Sequence, residues 1–233
     1  MISRYKKNLK ILEKENVYSK EMEHDACGVG LVASTEGKKS RKVVEYGIEA
    51  LKAVWHRGAV DADGKTGDGA GIHLEIPKDF FSEKIELTGH TYDDSEICIG
   101  MIFLPRNNYS AQENSRTLVE KELTKSNFSI YGWRQVPVNP KVLGEKAERT
   151  RPEITQVLFK HNDKKLSNKN LEVKLYESRR KIEKEASIIN LNDFYICSFS
   201  SKSIIYKGMF LAESLSDFYT DLKDERFISR YAI

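Results

Sequence analysis

The pattern of apolar and polar positions predicts a mixture of strands and helices along the chain. After Ser40, which is suited to cap a helix, Val44, Ile48 and Leu51 recur at the spacing of one helical face. The helices are expected at 41–55, 110–125 and 171–186. The strands are expected at 28–33, 72–76, 96–104, 128–138, 154–159, 194–199, 203–206 and 227–233, with 194–199 and 203–206 forming a hairpin. Such a mixture in one chain predicts a layered α/β or α+β domain.

A glycine-rich segment separates the first helix from the strand at 72–76. It contains Gly58, Gly64, Gly67, Gly69 and Gly71 together with Asp61, Asp63 and Asp68. A long irregular loop of this kind in a compact domain is usually functional. A phosphate loop is not predicted, because Gly64-Lys65-Thr66 would need a glycine where Ala59 stands. Calcium is not expected either, because the order of the aspartates does not match an EF-hand.

Composition and charge exclude several classes of protein. The 38 Lys and Arg residues against 35 Asp and Glu residues leave a net charge of +3, and no basic block suggests nucleic acid. The longest apolar run, 97–104, is far shorter than the roughly 20 residues of a membrane-spanning helix. Charges interrupt the N-terminal segment, so it does not resemble a secretion signal. We therefore expect a cytoplasmic protein that binds neither nucleic acid nor membranes.

The three cysteines divide into two kinds. Cys98 and Cys197 lie in apolar runs, where a free cysteine behaves as a small buried hydrophobic residue. Cys27 lies where a charged segment meets Gly28-Val29-Gly30, so it is either a reactive thiol or the first residue of an ordinary strand. His24 and Cys27 have the spacing of one pair of zinc ligands, but the sequence has no second pair to complete the four that zinc needs. No metal site is therefore predicted.

Two segments together resemble a known family. Ala26-Cys-Gly-Val-Gly-Leu-Val-Ala33 and Leu51-Lys-Ala-Val-Trp-His-Arg-Gly58, with the glycine-rich segment that follows, are similar to the start of the glutamate synthase large subunit. That region is a class II glutamine amidotransferase domain of the N-terminal-nucleophile hydrolase superfamily. Further similar stretches follow in order at 131–140, 151–153, 195–198, 206–209 and 221–226.

The resemblance implies a fold, a leader and a nucleophile. The fold would be α+β, a four-layer αββα sandwich. Residues 1–26 would be a propeptide, and residues 27–233 the first part of the amidotransferase domain, with Cys27 as its N-terminal nucleophile. A free α-amino group has a pKa of about 7.7–8.0, so it can deprotonate the thiol of its own residue. The thiolate would then attack the side-chain amide of glutamine and release ammonia.

Arg57 matches a family position that helps to organise the glutamine site. A guanidinium group is suited to a substrate carboxylate or to a carboxylate that shapes the loop. The alternative from the residues alone is a cation that favours the C-terminal end of the helix dipole. His56 is expected to complete the end of the helix.

The family pattern continues beyond the last residue of this sequence. A His-x-Arg-Tyr segment, an Asn-Gly oxyanion hole and an Asp for the substrate amine would follow Ile233. From their absence we expect a sandwich that is incomplete at the C-terminus, with exposed core and unpaired strand edges. The 233-residue chain alone is therefore expected to be poorly active or inactive.

The resemblance also implies partners and cofactors for a complete protein. The substrate would be glutamine, and the ammonia would pass to 2-oxoglutarate in the remainder of the chain. No cofactor is expected in these residues, whereas FMN, an iron–sulfur cluster and a small NADPH-oxidising subunit are implied for the whole enzyme. Two alternatives stay open: a non-catalytic amidotransferase-like module, and an amidotransferase acting on sugar phosphate or phosphoribosyl substrates.

Overall fold

The computed structural model describes residues 7–8, 10–11, 14, 28–54, 58–93 and 96–233. Within them the strands are β1 (Val32–Ala33), β2 (Ala70–Glu75), β3 (Cys98–Leu104), β4 (Phe128–Gln135), β5 (Glu153–His161), β6 (Tyr195–Ser200), β7 (Ser203–Gly208) and β8 (Tyr231–Ala232). The α-helices are α1 (Arg41–Ala53), α2 (Lys78–Glu86), α3 (Tyr109–Lys125), α4 (Glu145–Thr150), α5 (Asn168–Ile188) and α6 (Leu215–Phe218). Short 3-10 helices occupy Pro140–Val142, Ala212–Ser214 and Thr220–Lys223.

The described strands form two four-stranded sheets. Sheet I has the order β1-β8-β2-β7, and sheet II has the order β4-β5-β3-β6. Every paired strand is antiparallel to its neighbour. The first and last of the described strands, β1 and β8, are therefore adjacent in sheet I.

The predicted hairpin of β6 and β7 is wrong, because the two strands belong to different sheets. β6 pairs with β3, whereas β7 pairs with β2. Glu172 of α5 holds the turn between them by accepting a hydrogen bond from the Ser201 backbone N–H at 2.7 Å. The strands still touch, since the Ile205 N–H donates to Ser198 Oγ at 3.2 Å. The apolar pattern located both strands, but it does not specify the partner of either.

The strands predicted at 28–33 and 227–233 are much shorter than expected. Each is reduced to a two-residue strand, and β1 and β8 pair only through Val32 with Ala232 and Ala33 with Tyr231. Val29, just before β1, is 78% exposed. The apolar residues before β1 therefore do not join the core of the described structure.

Helix α1 begins where the sequence predicts. Ser40 Oγ accepts a hydrogen bond from the Val43 N–H at 3.4 Å, which satisfies one of the free donors of the first turn. Val44 and Ile48 are buried on one face. A Cβ atom added at Gly47 would lie 2.4 Å from the Ala232 Cβ atom, so the helix packs directly on β8.

Helix α2 is an element that the sequence analysis did not predict. It follows Pro77, which acts as its N-cap, and its apolar residues Phe80, Phe81 and Ile85 are buried. Their spacing of one and four residues fits one helical face, but the segment is only nine residues long. So short a segment carries little periodicity of its own.

Two clusters of buried apolar residues hold the layers of helices and sheets together. One joins α1, sheet I, α2 and one face of sheet II, with Val44, Leu74 and Met101 among its buried residues. The other lies between the opposite face of sheet II and helices α3 and α5, around Val119 and Leu175. The order of helix, sheet, sheet and helices confirms the predicted αββα arrangement. None of the described helices combines the length and the apolar composition needed to cross a membrane.

Candidate active site

The two predicted site residues, Cys27 and Arg57, lie outside the described residues. Their chain neighbours Gly28 and Gly58 are described, and both line the same cleft of about 1310 Å³. The two predicted residues are the immediate chain neighbours of these two glycines, one Cα–Cα step of about 3.8 Å along the chain. The cleft is therefore the candidate active site.

Two neighbouring segments form part of the cleft lining. One runs from Gly67, at the end of the glycine-rich loop, to His73 in β2, and the other runs from Lys207 to Glu213. They are adjacent because β2 pairs with β7. At Gly67 a Cβ atom would lie 2.7 Å from the Phe210 carbonyl oxygen, and at Gly71 it would lie 2.9 Å from the Tyr206 carbonyl oxygen. The glycines are needed because the two backbones approach more closely than any side chain allows.

The rest of the glycine-rich loop is held by one aspartate. Asp63 Oδ1 accepts hydrogen bonds from the N–H groups of Lys65 at 2.9 Å and Thr66 at 2.7 Å, and Oδ2 accepts from the Thr66 hydroxyl at 2.6 Å. These hydrogen bonds, led by the one from the Thr66 hydroxyl, lower the pKa of Asp63 to about 2. The predicted irregular loop is thus a folded turn.

Helix α4 provides the surface on which this turn rests. The Lys146 ammonium pairs with Asp61 Oδ2 at 2.8 Å, and the Ala147 N–H donates to the Thr66 hydroxyl at 3.4 Å. Gly144 faces the turn so closely that a Cβ atom there would lie 2.1 Å from Asp63 Oδ2. Asp61 and Asp63 are therefore engaged by protein donors. The described residues contain no group of three or more His, Cys, Asp or Glu side chains placed to hold a metal ion.

Lys207 brings a positive charge to the cleft. Its Nζ atom donates to the Tyr195 hydroxyl at 2.7 Å and lies 4.6 Å from the centre of the Tyr195 ring. Its own carbonyl oxygen accepts a hydrogen bond from the Tyr219 hydroxyl at 2.8 Å. Both the backbone and the side chain of Lys207 are thereby fixed.

A buried polar network lies behind this segment of the lining. The Arg134 guanidinium forms a two-pronged ion pair with Asp221, at 2.6 and 2.7 Å, and also donates to Gln156 Oε1 at 2.7 Å. The Tyr206 hydroxyl donates to Asp221 Oδ2 at 3.1 Å and accepts from Gln156 Nε2 at 3.2 Å. Because charge-assisted, two-pronged contacts are strong and directional, this network fixes Tyr206 and hence the start of the 207–213 segment.

Burial sets the protonation of the groups around the network. Burial raises the pKa of the Tyr206 hydroxyl, and the nearby Asp221 carboxylate raises it further, so the hydroxyl stays neutral. For Arg134 burial opposes the charged form, but the ion pair with Asp221 prevails and raises the pKa. In the cleft, burial lowers the pKa of His73, which keeps the imidazole neutral near pH 7.

The remaining cysteines behave as the sequence predicts. Cys98 and Cys197 are both buried, one in each apolar cluster. Burial raises the pKa of the Cys98 thiol, and it raises the pKa of the Cys197 thiol to about 11. Neither forms appreciable thiolate at neutral pH, so neither competes as a nucleophile.

Sequence reasoning did not assign roles to Lys207 in the cleft lining or to Arg134, Tyr206 and Asp221 in the network behind it. All four lie in stretches that resemble the glutamate synthase pattern, at 131–140, 206–209 and 221–226. The resemblance of these stretches was their only signal, and the structure joins Arg134, Tyr206 and Asp221 in one network.

Comparisons with known proteins match nearly the whole length of the sequence. The family described as class II glutamine amidotransferases matches residues 27–233. The chain is 54% identical over 232 residues to the glutamate synthase [NADPH] large chain of Azospirillum brasilense, covering 100% of this chain and 15% of that protein. It is 36% identical over 228 residues to the ferredoxin-dependent glutamate synthase of Pyropia yezoensis, covering 96% of this chain and 14% of that protein.

A third relative gives the same result at lower identity. The chain is 35% identical over 223 residues to the glutamate synthase [NADPH] large chain of Bacillus subtilis, covering 94% of this chain and 14% of that protein. The chain thus spans about 15% of the length of these relatives. The match over residues 27–233 and the two-sheet fold confirm that the chain belongs to the class II glutamine amidotransferase family, whose domain has the N-terminal-nucleophile hydrolase fold.

Proposed function

We propose that this chain is the glutaminase part of a glutamate synthase, with Cys27 as the N-terminal nucleophile. The observation that carries the proposal is the single cleft lined by both Gly28 and Gly58, the neighbours of Cys27 and Arg57. The family match begins at residue 27, which supports a leader of residues 1–26 that is removed to free the Cys27 amine.

The chemistry follows from that free amine. An amide nitrogen is not basic, whereas an α-amino group with a pKa of about 7.7–8.0 can accept the thiol proton near neutral pH. The thiolate attacks the carboxamide carbon of glutamine, the amine returns the proton to the leaving nitrogen, and ammonia departs. Water then hydrolyses the thioester to glutamate. No separate histidine base is needed, because the α-amino group of the same residue takes the thiol proton.

Arg57 is proposed to organise the substrate. It is attached to Gly58 in the cleft lining, and its guanidinium can form a two-pronged contact with the α-carboxylate of glutamine. A lysine at this position would keep the charge and lose the planar two-pronged geometry. Arg57→Lys is therefore expected to raise KM for glutamine more than it lowers kcat.

The later steps belong to a longer protein. In a glutamate synthase the ammonia would reach 2-oxoglutarate, and FMN and an iron–sulfur cluster would supply electrons for the reduction. In a protein of the NADPH-dependent kind a small subunit would oxidise NADPH. The names of the relatives include NADPH-dependent and ferredoxin-dependent proteins.

The deciding experiment is covalent labelling of Cys27. The full-length protein and the 233-residue chain are each analysed by mass spectrometry for their N-terminus and for reaction with an electrophilic glutamine analogue. We expect the full-length protein to begin at Cys27 and to be labelled there. Cys27→Ala is expected to abolish labelling, whereas Cys197→Ala, which removes a buried thiol, is expected to leave it unchanged.

Two results would contradict the proposal. A full-length protein that keeps residues 1–26 and leaves Cys27 unlabelled would indicate a non-catalytic module. Labelling that persists in Cys27→Ala would place the nucleophile elsewhere.

A further inference from the structure

The charges around the cleft are unevenly distributed. Among the described lining residues, Asp68 and Glu213 are exposed to solvent, and His73 is neutral near pH 7. Lys207 is partly buried, and none of the described carboxylates lies close enough to form an ion pair with it. Lys207 is the only lysine or arginine among the described lining residues, so it is their one permanent positive charge.

One contact holds the charged Nζ atom of Lys207, and two others hold the backbone around it. Tyr195 holds the Nζ atom, and Tyr219 holds the Lys207 carbonyl oxygen at 2.8 Å. Tyr206, the preceding residue, is anchored to Asp221 in the buried network. A fixed cation pays little reorganisation cost when an anion arrives, which is why such groups are effective in binding and catalytic sites.

The Lys207 ammonium group also has N–H bonds that the Tyr195 contact does not use. It carries three N–H bonds, and one of them is directed at the Tyr195 hydroxyl. The remaining donors can serve an anionic group inside the cleft. The positive charge of Lys207 already acts on a neighbouring thiol, since it opposes the burial that raises the pKa of Cys197.

We propose that Lys207 is an anion-recognition residue of this cleft, a fixed cation that favours carboxylate ligands. The inference rests on the proposed function only in taking the cleft as the site of an amino-acid substrate. The carboxylate of an incoming amino acid is the group that this charge attracts.

Two alkylating reagents of similar size test the proposal. Iodoacetate carries a carboxylate and iodoacetamide does not, so the ratio of their rates at Cys27 reports the local electrostatic potential. Lys207→Gln is expected to lower the iodoacetate-to-iodoacetamide ratio about two- to threefold, the order of effect that removing one nearby charge has in water. Lys207→Arg is expected to restore the ratio, and 1 M salt is expected to reduce the difference.

Lys202→Gln is the matched control. Lys202 is exposed on the turn between β6 and β7, so its loss changes the net charge equally without changing the cleft. The proposal is overturned if Lys207→Gln leaves the ratio unchanged, or if Lys202→Gln lowers it as much.

A second reporter keeps the test decisive if Cys27 does not react. Met209 lines the same cleft and is 47% exposed, so Met209→Cys in a Cys27→Ser background places a thiol at a described position. The same fall in the ratio is expected there, and an unchanged ratio would again overturn the proposal. Failure of the glutamine analogue to label Cys27 refutes the proposed function alone, because neither iodo reagent requires glutaminase activity.

Discussion

The segment that begins at Tyr206 separates two regions of opposite character. Behind it, Arg134, Gln156 and Asp221 form a buried, fully paired network with Tyr206. In front of it lies an open cleft in which glycines allow backbones to meet closely. One region is rigid because its charges are paired out of water. The other is open because glycines without side chains line it. The network supports the cleft because it anchors Tyr206, where the lining segment begins.

The largest expected effect on stability comes from removing the carboxylate of the buried network. Asp221→Ala removes the anionic partner of the mostly buried Arg134 charge, which is expected to cost about 3–5 kcal/mol of unfolding free energy. Urea unfolding of the two proteins measures the loss. The double variant Arg134→Met/Asp221→Leu removes both charges and is expected to recover most of it. A double variant as unstable as Asp221→Ala would show that packing, not the unpaired charge, is the cause.

Gly67→Ala, which adds a methyl group, tests the close backbone approach in the cleft. The added Cβ would lie 2.7 Å from the Phe210 carbonyl oxygen and 2.9 Å from its carbon, so backbone must move. Gly67→Ala is expected to cost about 2 kcal/mol, in the range of overpacked sites, and to slow labelling of Cys27.

Gly64, in the same loop, provides the control for Gly67. It has φ +68° with nothing within 4 Å of an added Cβ atom, so Gly64→Ala should cost only the backbone strain of about 1 kcal/mol and leave labelling intact. Equal effects of the two substitutions on labelling would contradict the role assigned to the close approach at Gly67.

Tyr206→Phe tests whether the buried network positions Lys207 in the cleft. It keeps the ring and removes the hydroxyl that joins Gln156 to Asp221, so a loss of about 1.5 kcal/mol is expected. If the network positions Lys207, the iodoacetate preference at Cys27 should fall as well.

Tyr131→Phe is the comparison for Tyr206→Phe. It removes a hydroxyl held at 3.4 Å from Asp93, outside the network. It should cost less and leave the iodoacetate preference unchanged. A preference unaffected by Tyr206→Phe would mean that Tyr195 and Tyr219 alone fix Lys207.

The smallest effect is expected from the acid titration of the glycine-rich turn. The pKa of Asp63 is about 2 in the folded chain against the ordinary 3.8, so its contribution to stability is complete above about pH 4 and is lost as the pH falls through 2. A carboxyl-detected NMR titration of Asp63 measures the value directly. In Asp63→Asn the amide signals of Lys65 and Thr66 should lose this transition. A titration near 3.8 in the folded protein would contradict the hydrogen bonding of the turn.

Local features of the sequence predicted much of the fold. The Ser40 cap and the apolar face of α1 lie within a few residues of one another, and both are confirmed. Cys98 and Cys197 were predicted as core residues from their apolar neighbours, and both are buried. Helix α2 was missed, because nine residues carry too little periodicity to predict it. The assignments of Cys27 and Arg57 remain predictions.

The sequence by itself determined the positions of most strands and helices, because each depends on residues close together in the chain. Similar stretches spread along the chain indicated the family, and that resemblance supplied the candidate nucleophile. Only the tertiary structure decided that β6 and β7 enter different sheets. It also decided that Arg134 would meet Asp221, 87 residues away, and that Lys207 would face the cleft. Strand pairing and ion pairing at such distances depend on which elements pack together, and a local pattern of apolar and polar residues does not encode that choice.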